Sequence, residues 1–171
     1  MGVLAAAVAL AGCSAEPGMV AEVEGRTITE AELDRVTEEL GPFLADPSRI
    51  SVLNALVQSE AGVVLGDRND IEVTSDEARD FLDALAAESG AQARTWGSGS
   101  LTIARMQLIG QRLTTLPDPA AASAEFEEIL ANLEITVSPR YGEYDPAVGA
   151  VSALQPDWIV DGAPVEPPIP E

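Results

Sequence analysis

The first pattern along the chain is alternation. In MVAEVEGRTI, residues 19–28, apolar Val20, Ala21 and Val23 mix with polar neighbours, Glu24-Gly25 marks a turn, and Thr27-Ile28 resume. This predicts a short strand and turn. The period then lengthens. Thr29 stands where a helix N-cap belongs, with Glu32 as its capping-box partner, so a helix starts there, runs to about Leu40 and stops at Gly41-Pro42. Asp46-Pro47 repeats the start signal, an N-cap followed by proline at the first helical position. The helix behind it carries Ile50, Val52, Leu53, Leu56, Val57, Val63, Val64 and Leu65 around much of its circumference, which makes it the central, most buried one.

Further along, Ile71 and Val73 form a brief extended segment before a second capping box, Thr74 and Glu77, and a third helix runs to about Ser89, burying Ala78, Phe81, Leu82 and Leu85. GSGS at 97–100 reads as a loop. Helical spacing resumes over 101–116 through Leu101, Ala104, Leu108, Ile109, Leu113 and Leu116, and Pro117 ends it. Asp118-Pro119 starts another helix, with Phe126, Ile129, Leu130 and Leu133 on one face. ITV at 135–137 reads as a final strand, able to pair with Val20–Val23. The fold class is therefore mainly α: about five helices with a small two- or three-stranded sheet joining the N- and C-terminal segments. The tail APVEPPIPE, 163–171, reads as unfolded.

Composition narrows the function classes. Apolar residues make 46% of the 171, but Phe, Trp and Tyr only 4%, so the core is built from Ala, Val, Leu and Ile. The net charge is −20, from 29 acidic and nine basic residues, the latter all arginine. No basic cluster exists to neutralise phosphates, so nucleic acid is not an expected partner. The acidic residues are spread over several helices, as solubility outside the cell requires. The chain has no histidine. That removes the imidazole general acid or base, Ser-His and Cys-His nucleophiles, and the commonest zinc ligand.

Residues 3–12, VLAAAVALAG, are too short an apolar run to span a bilayer but suit a signal-peptide core. LAGC at 10–13 resembles the bacterial lipobox, with Leu10, the small residues Ala11 and Gly12, and Cys13 as the first mature residue. The resemblance implies a diacylglyceryl thioether on Cys13, cleavage before it, and lipid anchoring at the outer face of the cytoplasmic membrane. Met1-Gly2 departs from a leader's usual positive start, and a lone Cys buried in an apolar helix is the other reading. The expected organisation is signal peptide 1–12, lipidated tether 13–18, helical domain 19–146 and C-terminal extension 147–171.

The order AEVEGRTITEAELDRV, a buried helix, then IEVTSDEARDFL resembles the N-terminal chaperone region of SurA- and PrsA-type exported proteins and of trigger factor. The matching residues are Val20, Val23, Gly25, Ile28, Thr29, Leu33, Ile71, Val73, Thr74, Asp76 and Glu77. ITVSPRYGEYDP is similar to the end of actinobacterial SurA-like lipoproteins, with Ser138 standing for an Asn and Tyr144 for a later aromatic. The resemblance implies a helical chaperone domain with a small sheet. Parvulin-type isomerase domains of SurA and PrsA have no counterpart here, because Leu116 to Ile135 holds one short helix, so no isomerase activity is expected.

Other acidic stretches point to structure more than to chemistry. DRNDIEVTSDE begins like a calcium loop, but counting from Asp67 places Glu72 where glycine belongs and Ala78 where glutamate belongs. Glu38-Glu39, Asp76-Glu77 and Glu127-Glu128 are adjacent carboxylates, and neighbours on a helix do not face each other. No catalytic residue, metal or cofactor is expected. PRYGEYDP concentrates aromatics beside Arg140, with Trp158 further on, either as a peptide contact or as a packed lid.

The expected function is an anchored, extracytoplasmic chaperone-like protein that binds non-native exported polypeptides without catalysis. Its candidate contact residues are Leu101, Met106, Leu108 and Ile109 on one helix and Tyr141 and Tyr144 in the aromatic segment. The alternative is an adaptor lipoprotein that recognises one folded envelope partner.

Overall fold

The computed structural model describes residues 18–92 and 94–153. β1 (Met19–Val23) and β2 (Arg26–Thr29) form an antiparallel hairpin turned by Glu24 and Gly25, both at positive φ, 50° and 77°. Two successive residues at positive φ match the twist of a tight hairpin. Glu24 bears that conformation because the turn is tied across: its N–H donates to the Glu134 carbonyl at 2.9 Å, and its carboxylate accepts the Glu134 N–H at 2.8 Å. β3 (Ile135–Val137) continues from there and pairs antiparallel with β1, Ala21 opposite Val137 and Val23 opposite Ile135, in the order β2-β1-β3. The two ends of the domain are joined by this sheet, as expected.

The five helices are α1 (Glu30–Leu40), α2 (Arg49–Arg68), α3 (Ser75–Glu88), α4 (Ser98–Leu113) and α5 (Pro119–Asn132), so the fold is mainly α. Three predicted N-caps form: Thr29 accepts the Glu32 N–H at 3.2 Å, Thr74 and Glu77 make both halves of a capping box, and Asp118 accepts the Ala121 N–H at 3.1 Å. Two details differ from expectation. Glu32 does not reach back to its cap, because its carboxylate pairs with Arg26 of β2. Ser48, not Asp46, caps α2, while Asp46 buttresses the cap by accepting the Ser48 N–H at 3.0 Å and the Ser51 hydroxyl at 2.6 Å.

α2 is the central helix, and two apolar clusters share it. Val52, Leu53, Leu56 and Val57 meet Val20 and Val23 of β1, Ile28 of β2, Leu33 and Val36 of α1, and Trp96. Ala61 and Leu65 meet Val73, Ile109, Leu113, Ile129 and Leu130. Leu53 and Leu56 are fully buried, a gain of about 1.5–3 kcal/mol for each such side chain. On α3, Ala78 and Leu82 are buried as expected, whereas Phe81 and Leu85 are only half-buried and Ala86 is buried in addition.

A second hairpin, β4 (Glu143–Asp145) and β5 (Ala150–Ser152), carries the folded body beyond residue 146. Asn54 of α2 acts as its neighbouring strand, accepting the Val151 N–H at 2.6 Å and donating to the Val151 carbonyl at 3.1 Å. Gly142 enters β4 at φ 127°, where a Cβ would run into the Ser152 carbonyl. Cys13, Trp158 and the 163–171 tail lie outside the described residues.

Candidate functional site

The most apolar recess among the described residues follows from how closely α2 and α4 cross. Gly62 and Gly66 stand one turn apart on α2; a Cβ on the first would come within 3.0 Å of Met106 Cβ, and on the second within 2.8 Å of Ile109 Cδ1. Absent side chains let the helices touch here. α5 packs along α2 without closing the remaining angle, and a cleft of about 430 Å³ is left between the three helices. Leu65, Met106, Ile109, Leu113, Ala122 and Phe126 give it apolar walls. Gln58, Gln107, Thr114 and Ser123 supply amide and hydroxyl groups, and Glu127 a single carboxylate.

Gly110 also lines this cleft, yet a Cβ there would meet nothing within 4 Å. Packing explains Gly62 and Gly66 but not Gly110, which costs an α-helix about 1 kcal/mol relative to alanine. Its effect is to leave the cleft wider.

The four α4 residues expected on one contact face separate into two. At about 100° of rotation per residue, Leu101 and Leu108 fall within about 20° of each other, while Met106 and Ile109 lie roughly a quarter-turn or more away. Leu101 packs half-buried against the first core cluster and Leu108 against the second. Met106 and Ile109 reach the cleft, Ile109 chiefly as its floor, since it is only 2% exposed. Helical phase alone could have made this division. The α5 wall and Gly110 carry no comparable signal in the sequence.

The aromatic pair sits elsewhere, holding the second hairpin to the helices. Tyr141 donates its hydroxyl to Glu30 Oε2 at 2.6 Å and accepts from Arg49 at 2.7 Å, and the Arg49 guanidinium lies 5.6 Å over its ring. Arg140 adds a 3.3 Å ion pair to Glu30. These contacts, Tyr141 foremost and against some desolvation, hold the Glu30 carboxyl below its ordinary value. Tyr144 donates to the Leu130 carbonyl at 2.8 Å, and burial with Asp145 beside it pushes its hydroxyl above the ordinary value. Both rings pack against the first core cluster.

No family model, curated protein or solved structure matches the chain. Glu39, one of the adjacent carboxylates, turns inward and is 7% exposed. It accepts the Gly97 N–H at 2.8 Å and the Ser100 hydroxyl at 2.6 Å, with Arg35 at 3.0 Å. Asp76 pairs with Arg79, Glu77 completes its capping box and pairs with Arg112, and Glu127 and Glu128 line different recesses. Among the described residues no three acidic, histidine or cysteine side chains are placed to hold a metal ion.

The arginines are all engaged. Arg26, Arg35, Arg49, Arg68, Arg79, Arg112 and Arg140 pair with carboxylates. Arg94 lies over the Trp96 ring, and Arg105 donates to the Val73 carbonyl. The chain as a whole carries −20, and the cleft lining holds one carboxylate, Glu127, and no arginine.

Proposed function

We propose that this protein is a lipid-anchored extracytoplasmic chaperone-like protein, and that it binds non-native segments of exported polypeptides in the α2/α4/α5 cleft without covalent chemistry. The observation that carries the reading is the cleft itself: apolar walls, the Gln107 amide able to meet a peptide backbone, and the unfilled space at Gly110. A cleft of this kind favours apolar side chains by removing their surface from water, at about 25 cal/mol per Å². Met106 adds an unbranched, polarizable side chain that adapts to ligands of different shape.

The likeness of the strand-turn-helix order to SurA-type chaperone regions supports the same reading, and the LAGC sequence supports anchoring through Cys13. Two unrelated unfolded clients, followed by light scattering as they aggregate, test the chaperone activity. Suppression of both at near-stoichiometric amounts is the expected result. Aggregation of both at the rate seen without the protein contradicts the reading and points to capture of one folded partner.

A further inference from the structure

The cleft could in principle be filled by a second copy of the chain, by the segment after residue 153, or by another polypeptide, and charge separates the three. The chain carries −20, so a second copy approaching this face meets like charge. The segment 154–171 brings Asp157, Asp161, Glu166 and Glu171 and no cation. The cleft lining holds Glu127 and no arginine. Resting on the reading of this cleft as a polypeptide-binding site, we propose that it selects apolar segments flanked by lysine or arginine.

Both halves of that ligand have a place. Apolar side chains enter between Met106, Leu113 and Phe126, in the space that Gly110 leaves open. Flanking cations stay at the rim, where they keep their water and meet Glu127 and the surrounding negative field. Such attraction acts over about 10 Å at ordinary ionic strength and weakens with added salt. It raises the encounter rate and excludes acidic segments more than it adds contact energy.

The test uses the purified full chain and three synthetic peptides sharing one apolar core, flanked by lysine, glutamine or glutamate, with binding read by fluorescence anisotropy at low and high salt. The lysine-flanked peptide should bind about tenfold or more tighter than the glutamine one at low salt, the glutamate one should bind most weakly, and salt should narrow the gap. Gly110→Trp should abolish binding, and Glu127→Arg, at an exposed position, should remove the preference for lysine. Equal affinities for the three peptides, or retained binding by a folded Gly110→Trp chain, overturn the proposal. So does a dimer broken by Gly110→Trp, or tighter binding once 154–171 is deleted, because the cleft would then already be occupied. Client aggregation suppressed without peptide discrimination removes the charge selectivity alone; loss of both removes the chaperone reading with it.

Discussion

Glu39 of α1 caps α4 from across the fold: its carboxylate accepts the N–H of Gly97, 58 residues away, where α4 has no side-chain cap of its own. A carboxylate at a helix N-terminus also faces the positive end of the helix dipole. Glu39→Ala leaves the Gly97 N–H and Ser100 hydroxyl buried without that partner, a loss of about 1–3 kcal/mol. Urea unfolding at neutral pH measures it. Ser100→Ala, which removes one of these bonds together with its donor, should cost less.

Three glycines facing α4 or the cleft should respond with opposite signs. Gly62→Ala and Gly66→Ala push a methyl into Met106 and Ile109 and should each cost about 1–3 kcal/mol. Gly110→Ala meets open space and should stabilise by about 0.5–1 kcal/mol through helix propensity. Thermal melts of the three variants give the comparison.

Tyr141 and Glu30 make stability depend on pH in a calculable direction. The folded-state value of Glu30 lies below its ordinary 4.5, so its contribution is fully present above that value and is lost as pH falls through the folded value. Tyr141→Phe should therefore be most destabilising at neutral pH, with the difference from the parent shrinking as pH falls below that ordinary value. Denaturant midpoints across that range record it.

Glu60 has the opposite sign. Burial foremost, with Glu32 nearby, pushes its carboxyl above 4.5, and Arg26 and Arg105 oppose the shift. Arg26 Nη1 lies 3.0 Å from Glu60 Oε1, both shielded from solvent, in an ion pair without hydrogen-bond alignment. Because the ionised form is disfavoured in the fold, Glu60 lowers stability as pH rises above its unfolded value, and the loss is complete above the folded one. Glu60→Gln should flatten that decline, measured by the same titration of unfolding midpoints.

The sequence was most readable where the cause was local. Thr74 and Glu77 form their capping box from adjacent residues, and ITV takes its place beside β1 because alternation marks both strands. Long-range causes hid the rest. GSGS has loop composition, yet Ser98–Ser100 are the first turn of α4, since Glu39 holds its N-terminus and Gly99 fits against Val36 and Leu56 where a Cβ would collide. β4 and β5, EYD and AVS, lack the β-branched apolar pair that marks ITV, and β5 is held on its far side by Asn54, distant in sequence. The cleft could not be read at all from α4 alone, because its opposite wall depends on where α5 lies.

The most direct test places a photocrosslinking side chain at Ser123, exposed on the α5 rim of the cleft, and, as a control, at exposed Arg79 on α3. Each chain is irradiated with an unfolded client present. Crosslinks from position 123 well above those from position 79 are the predicted result. Equal yields from both positions, while the protein still suppresses client aggregation, would contradict the cleft as the binding site.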